Sequence, residues 1–369
     1  MYNNDNRIVI TLDAGGTNLV FGAMKGCEYI GETITLPSMA SNLDDCLGQM
    51  VKGFTRIINS LDEKPVAISF AFPGPADYAN GILGGFLPNF PSFRDGVALG
   101  PFLSKKFGLP VFINNDGDLF AFGEAMAGAL PDINSRVAAA GGGRQYKNLL
   151  GYTFGTGLGI GAVINGQLNL GNNSCVETFC LPYKYDRGLM CEDFAAIRAI
   201  TRVYGELTGN PDHDLTPKDI CDVIEGRREG DADAAREAFR RFGEIAGDAM
   251  ATAVTLTDSL IVLGGGLTGA ARYILPSLLA ELRSKLHTIG GDELQRVQMK
   301  VYNLDDPDEF AQFVKGEARN LKVYGTDDYV TYDPQKRTGV CVSRIGASRA
   351  ISIGAYAYAL SRLDLPATR

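Results

Sequence analysis

The chain has 369 residues, 45% hydrophobic and 21% charged, with a formal net charge of −8; that is enough chain for two domains with sizeable cores. An acidic balance with no Lys/Arg block excludes a nucleic-acid or anionic-membrane binder, so phosphate would have to be held locally, by backbone amides and a metal. Seven cysteines with no CxxC pair, no run of ~18 apolar residues and no apolar leader exclude a disulfide scaffold and a membrane span, and the expected location is the cytoplasm.

The elements begin with Arg7–Asp13 (RIVITLD), a buried-strand pattern ending in a glycine turn, followed by strands over 18–24 and 27–35. Leu43–Ser60 has helical spacing of its apolar residues, and Val66–Phe72 is a second buried strand closed by Pro73-Gly74-Pro75. Val111–Asn114 reads as a short strand, with a helix over Leu119–Gly128. The strand–glycine–strand unit then recurs, as Leu149–Phe154, Gly155-Thr156-Gly157 and Gly159–Asn165, which suggests two similar α/β halves. Ala232–Leu256 is a long amphipathic helix leading to the strand Ser259–Leu263, Gly264-Gly265-Gly266 and an apolar helix. Residues 303–340 are polar and read as a surface excursion, and Ala350–Arg362 is the last helix. Alternating strands and helices give an α/β fold.

Glycine is abundant, 45 residues against an ordinary ~7%, and clusters at turns where backbone approaches something closely. At Asp13-Ala14-Gly15-Gly16-Thr17 the glycines let amides converge on an anion, Thr17 can donate to a phosphate oxygen, and Asp13 is placed for a hydrated Mg²⁺. A bare hairpin turn with a capping Asp is the plain alternative. Gly155-Thr156-Gly157-Leu158-Gly159 repeats the logic; it also satisfies the GxGxx(G/A) dinucleotide fingerprint with Ala162, but AVINGQL after it reads as strand rather than the helix that fingerprint needs. Gly264-Gly265-Gly266, between strand and helix, suits a backbone approach to a nucleotide or an ordinary βα turn. Asn114-Asn115-Asp116 stands at a strand's carboxyl end, where α/β sheets bind ligands. A carboxylate there can accept a proton from a sugar hydroxyl; helix capping is the alternative. There is no Gly-Lys dipeptide for a Walker A loop, and His213 and His287 form no catalytic pattern.

In this order, Asp13–Thr17, Phe72-Pro73-Gly74-Pro75, Leu87-Pro88-Asn89-Phe90, Asn115-Asp116, Gly155–Gly159, Glu177, Glu192 and Leu263–Gly266 resemble the ROK family of sugar kinases and repressors, within the actin-like ATPase superfamily. The resemblance implies two similar actin-like (ribonuclease H-like) α/β domains around a cleft. The smaller would be 1–117 with the C-terminal 350–369, and the larger 118–349. It implies ATP-dependent phosphorylation of a hexose or N-acetylhexosamine. Asp116 would be the general base, and Asn89, Asn115, Glu177 and Glu192 would hold sugar hydroxyls. Gly15, Gly16, Thr17, Gly155, Thr156, Gly157, Gly264, Gly265 and Gly266 would hold ATP, with Asp13 serving Mg²⁺. A homodimer is the family's habit.

The chain departs from the family in one segment. Cys180 stands where a histidine follows Glu177, and of a cysteine cluster before Glu192 only Cys191 remains. Cys175, Cys180 and Cys191 supply three ligands at most, so structural zinc is not expected. Two other readings fit the family. A sugar-responsive repressor would carry a helix-turn-helix ahead of the strand at Arg7, and a sugar-binding regulator without catalysis would not need Asp116 and the phosphate loops.

Overall fold

The computed structural model describes residues 2–365; Met1 and residues 366–369, the tail of the expected closing segment, lie outside the described residues. The elements of the first third are β1 (Val9–Ala14), β2 (Asn18–Lys25), β3 (Glu28–Pro37), α1 (Leu43–Asn59), β4 (Ala67–Ala71), a ribbon β5 (Ala76–Asp77) and β6 (Ile82–Leu83), α2 (Leu99–Phe107), β7 (Val111–Asn114) and α3 (Asp116–Ala127). There follow α4 (Ala129–Ala139), β8 (Leu149–Phe154), β9 (Leu158–Ile164), β10 (Gln167–Leu168), α5 (Ile197–Thr208), α6 (Pro217–Ile224) and α7 (Ala232–Thr257). The rest comprises β11 (Leu260–Gly264), α8 (Ala271–Leu282), β12 (Lys285–His287), β13 (Glu293–Gln295), β14 (Lys300–Asn303), α9 (Pro307–Lys315), β15 (Arg319–Lys322), β16 (Tyr329–Tyr332), β17 (Arg337–Val342) and α10 (Ala347–Leu363). Side chains that compete for free amides start many of the helices. Asn42 caps α1 through the Asp45 amide at 3.1 Å, Thr216 and Asp219 close a capping box on α6, and Asp231 and Asp306 cap α7 and α9.

The chain forms two compact units. One takes the chain up to Pro131, Gly161–Val176 and Ile345 onward; the other takes Asp132–Ile160 and Glu177–Arg344. The first unit holds a five-stranded sheet in the order β3-β2-β1-β4-β7, with β1, β2 and β3 antiparallel and β1, β4 and β7 parallel. Helix α1 covers one face, where Phe54 meets Phe21 edge-on at 5.0 Å. Helices α3 and α10 cross at glycines: a β-carbon on Gly123 would strike the Ala350 carbonyl, and one on Gly354 the Leu119 carbonyl. This close crossing gathers α3 into the first unit, whereas the sequence reading ended that domain at residue 117.

In the second unit β8, β11, β17 and β14 run parallel in one sheet, whose full order is β10-β9-β8-β11-β17-β14; β9 begins in this unit and ends in the first. Two sheets thus repeat one plan, an antiparallel hairpin followed by parallel strands, as the recurring strand–glycine–strand pattern suggested. Phe242 of α7 packs on Phe154 of β8 at 5.0 Å. The expected surface excursion over 303–340 is corrected. Phe313 of α9 is fully buried, and β17, with Thr338 and Val340 buried, lies inside the sheet. Only four residues of β17 are hydrophobic or glycine in an unbroken run (Gly339–Val342), too few to stand out beside the charges before them. The ribbon β15–β16 is exposed as expected. No helix among the described residues is long and apolar enough to cross a membrane.

Candidate active site

The first unit gathers Asp13–Thr17, Asn89 and Asn115–Asp116. Asp13 is the penultimate residue of β1 and pairs with Ala71 of β4, which pairs in turn with Asn114 of β7. The acid and the Asn115-Asp116 pair therefore leave the carboxyl ends of strands in one parallel set, the usual ligand-binding edge of such a sheet. The Gly15–Thr17 turn is braced by a hydrogen bond from the Gly15 amide to the Asn18 carbonyl at 2.9 Å. Ser38, buried at the end of β3, donates its hydroxyl to the Gly16 carbonyl, and its amide donates to Thr17 O at 2.9 Å. Ser38 was not visible as a site residue in sequence; its contact is 22 positions away and has no motif.

Gly16 also admits Asn89. A β-carbon at Gly16 would lie 3.0 Å from the Asn89 Cβ. Asn89 itself is exposed on a loop anchored by Phe90 and Phe93, which pack on Phe72 with ring centroids 4.5 and 5.2 Å away. The aromatic residues beside the Pro-rich motif thus fix the position of a solvent-facing amide.

Helix α3 begins at Asp116, three residues earlier than the spacing predicts, because Asn115 caps it. The Asn115 side-chain oxygen accepts the Gly117 amide at 2.8 Å, and one oxygen of Asp116 accepts the same amide at 2.9 Å. Capping does not preclude the expected ligand role, since the cap uses the Asn115 oxygen and leaves its NH₂ to donate. The Asp116 side chain is open to solvent, yet the surrounding protein desolvates it and the Asp13 carboxylate repels its charge, so its pKa is raised above the ordinary aspartate value. Asp118, only 7% exposed, is pushed up to about 7 by burial and by Asp116.

The second unit gathers the other two glycine loops with Glu177 and Glu192. Gly155–Gly157 leaves β8 and Gly264–Gly266 leaves β11, which are adjacent strands with Gly264 opposite Thr153. Residues after Gly157 form β9, so the dinucleotide reading, which requires a helix there, fails. The loop glycines differ in what they tolerate. A β-carbon at Gly155 or Gly266 meets no atom within 4 Å. Gly265 has φ +90° and a β-carbon there would strike the Phe154 carbonyl, so it is required by the backbone itself. Two open backbone stretches beside one another at the ends of parallel strands fit a nucleotide's phosphates.

Residues 178–192 form an irregular antiparallel hairpin. The Glu192 amide donates to Phe179 O at 3.2 Å, Cys191 to Leu181 O at 2.8 Å and Tyr183 to Leu189 O at 2.8 Å. Glu177 and Glu192 stand at its base. Glu192 accepts the Leu158 amide at 3.0 Å and one nitrogen of Arg198 at 2.9 Å. The hairpin is pinned to the helices beneath it. Lys184 bridges Glu244 at 3.0 Å and Glu281 at 2.9 Å, Tyr185 donates to Glu244, and Tyr183 stacks on Phe194 with centroids 3.6 Å apart. Burial works against the Lys184 charge, but the two carboxylates hold its pKa above the ordinary lysine value. None of these ties was legible in sequence, because they join residues up to 97 positions apart.

The cysteines of this segment do not assemble a metal site. Cys191 is buried, donates its thiol to Thr178 O at 3.0 Å and is pushed up to about 12 by burial. Cys175 and Cys180 are exposed. Among the described residues no group of three or more His, Cys, Asp and Glu could hold a metal. For Mg²⁺ carried by nucleotide phosphates, which needs only one or two protein carboxylates, the exposed Asp13 beside an amide-lined turn fits.

A family model described as the ROK family matches residues 9–303. A glucokinase of Thermotoga maritima is 26% identical over 296 residues, covering 73% of this chain and 85% of that protein. The crystal structure of a glucokinase from Parabacteroides distasonis superposes with a TM-score of 0.90 at 54% identity, covering 98% of this chain and 99% of that one. A glucokinase from Streptomyces griseus, solved with glucose and AMPPNP, matches with a TM-score of 0.59 at 19% identity over 95% of this chain and 98% of its own, a likeness of fold. The α/β halves are those of the actin-like ATPase fold.

Proposed function

This chain belongs to the ROK family, and we propose that the enzyme, an ATP-dependent sugar kinase, takes glucose as its acceptor with Asp116 as general base. The observation that carries the reading is the Asp116 carboxylate. It is open to solvent at the carboxyl edge of the first sheet, is oriented by the Gly117 amide, and has a pKa raised above the ordinary aspartate value by desolvation. The acceptor hydroxyl gives its proton to Asp116 as its oxygen attacks the γ-phosphorus; the bond to the β,γ-bridging oxygen breaks and ADP leaves. Asn89, the Asn115 NH₂, Glu177 and Glu192 fix the other sugar hydroxyls. Such polar fixing discriminates strongly, because a missing hydroxyl leaves buried groups unpaired. The amides of the 15–17, 155–157 and 264–266 loops hold the triphosphate. Mg²⁺, when bound with the nucleotide, neutralises phosphate charge, and Asp13 would hold it.

Glucose is favoured because the relatives at 54% and 26% identity are named glucokinases. Cys180, in place of the histidine expected after Glu177, is the feature most able to shift that preference towards an N-acetylhexosamine. The test is ADP release over glucose, N-acetylglucosamine, N-acetylmannosamine, fructose and allose. Glucose should give the highest kcat/KM. Highest activity on another sugar would replace the acceptor, and sugar binding without ADP release on any would replace the kinase with a binding regulator.

A further inference from the structure

We propose that Arg198 is a positioning residue that ties the acceptor carboxylate Glu192 to the nucleotide loop Gly155–Gly157, so that sugar and nucleotide strengthen each other's binding. This rests on the roles proposed above for Glu192 and that loop. The guanidinium of Arg198 donates to three acceptors. One nitrogen reaches the Thr156 carbonyl at 2.9 Å, a second reaches Glu192 at 2.9 Å and Asp193 at 2.8 Å, and Nε reaches Asp193 at 2.9 Å. The other Glu192 oxygen accepts the Leu158 amide at 3.0 Å. The first amide of α5, Ile197, donates to the Gly155 carbonyl at 2.9 Å. Gly157 closes the contact, since a β-carbon there would lie 2.8 Å from a Glu192 oxygen.

Backbone groups of residues 155, 156 and 158 are thus held by a short stretch, 192–198, that also contains the sugar-binding carboxylate. A sugar hydroxyl that draws on Glu192 competes with Leu158 N–H and Arg198 for its oxygens, and any shift passes through a rigid planar fork to the Thr156 carbonyl. The Arg198 side chain is 41% exposed, so its ion pairs contribute little to stability. What it fixes is geometry, and a point-charged lysine cannot span the same three acceptors. Linkage makes the effect reciprocal: sugar tightens nucleotide by the same factor as nucleotide tightens sugar, and such factors run roughly 5–150-fold.

Calorimetric titration of AMPPNP, with and without saturating glucose (or the sugar that turns over), reads this factor directly. The wild type should bind AMPPNP at least about fivefold more tightly with sugar present. In Arg198→Ala the ratio should fall to within twofold of one while each ligand still binds alone, and Arg198→Lys should recover less than half of it. Arg198→Gln replaces Arg198→Ala if that variant does not fold. A wild-type ratio retained in the Ala or Gln variant, or a wild type that turns over sugar with no such ratio, overturns the proposal and leaves the kinase reading standing. A wild type that binds no sugar overturns the kinase reading, and this inference with it.

Discussion

Asp116 and Asp118 stand two residues apart on the first turn of α3, the one open to solvent and the other buried. The open acid is available to a substrate, and the buried one is pushed up to about 7 by burial and by the charge of Asp116. Asp118 therefore links stability to pH. Its folded pKa, about 7, lies above its unfolded value of 3.8, so its contribution is complete below pH ~4 and is lost as pH rises through 7. Between pH 5 and 8 the wild type should lose about 2–3 kcal/mol from this group. Asp118→Asn, neutral throughout, should remove that part of the slope and be the more stable protein at pH 8. Urea unfolding at pH 5 and 8 checks this; a variant less stable than wild type at pH 8 would mean that Asp118 is charged and productively paired.

The loop glycines separate folding from nucleotide binding. Gly155→Val places its side chain in open space, so the melting midpoint should stay within 2 °C while the KM for ATP rises at least tenfold. Gly265→Ala forces a left-handed backbone and a carbonyl clash and should cost at least ~1–3 kcal/mol of stability. Steady-state kinetics with thermal melts distinguish the two. Equal loss of sugar and ATP binding in Gly155→Val would count against a phosphate loop at 155–157.

The hairpin bearing Glu177 and Glu192 is tied down by Lys184, Tyr185 and the stacked rings of Tyr183 and Phe194. Lys184→Met removes the cation that Glu244 and Glu281 share, while Glu244 keeps Arg240 and Tyr185 and Glu281 keeps Arg296, and it should destabilise the protein by about 1 kcal/mol, with a larger rise in KM for sugar than for ATP. Chelator treatment followed by desalting should leave the melting point of the ligand-free protein unchanged. One tightly held zinc per chain in elemental analysis would refute this account of the segment.

Much of the candidate site is legible in the sequence because its residues lie where strands end. Asp13, the two glycine loops and Asn115-Asp116 each follow a short apolar run, and a buried strand closed by glycine or acid is a local signal. The start of α3 falls three residues before the expected one because Asn115 and Asp116 read equally as ligands and as caps, and the structure shows the capping bonds to the Gly117 amide. The brace of Ser38 on Gly16, the fork of Arg198 and the Lys184 bridge were invisible, since each depends on which distant segments the sheets bring together. The inner strand β17 was lost for another reason: its run of apolar residues is too short to outweigh Lys336 and Arg337.

The most direct measurement is Asp116→Asn, which keeps the side chain's shape and its bond to the Gly117 amide while removing the base. Glucose affinity, by calorimetry, should stay within threefold of wild type, and kcat should fall by about 10²–10⁴. A variant with kcat within tenfold of wild type would contradict the assignment of Asp116 as the base, whatever sugar the enzyme prefers.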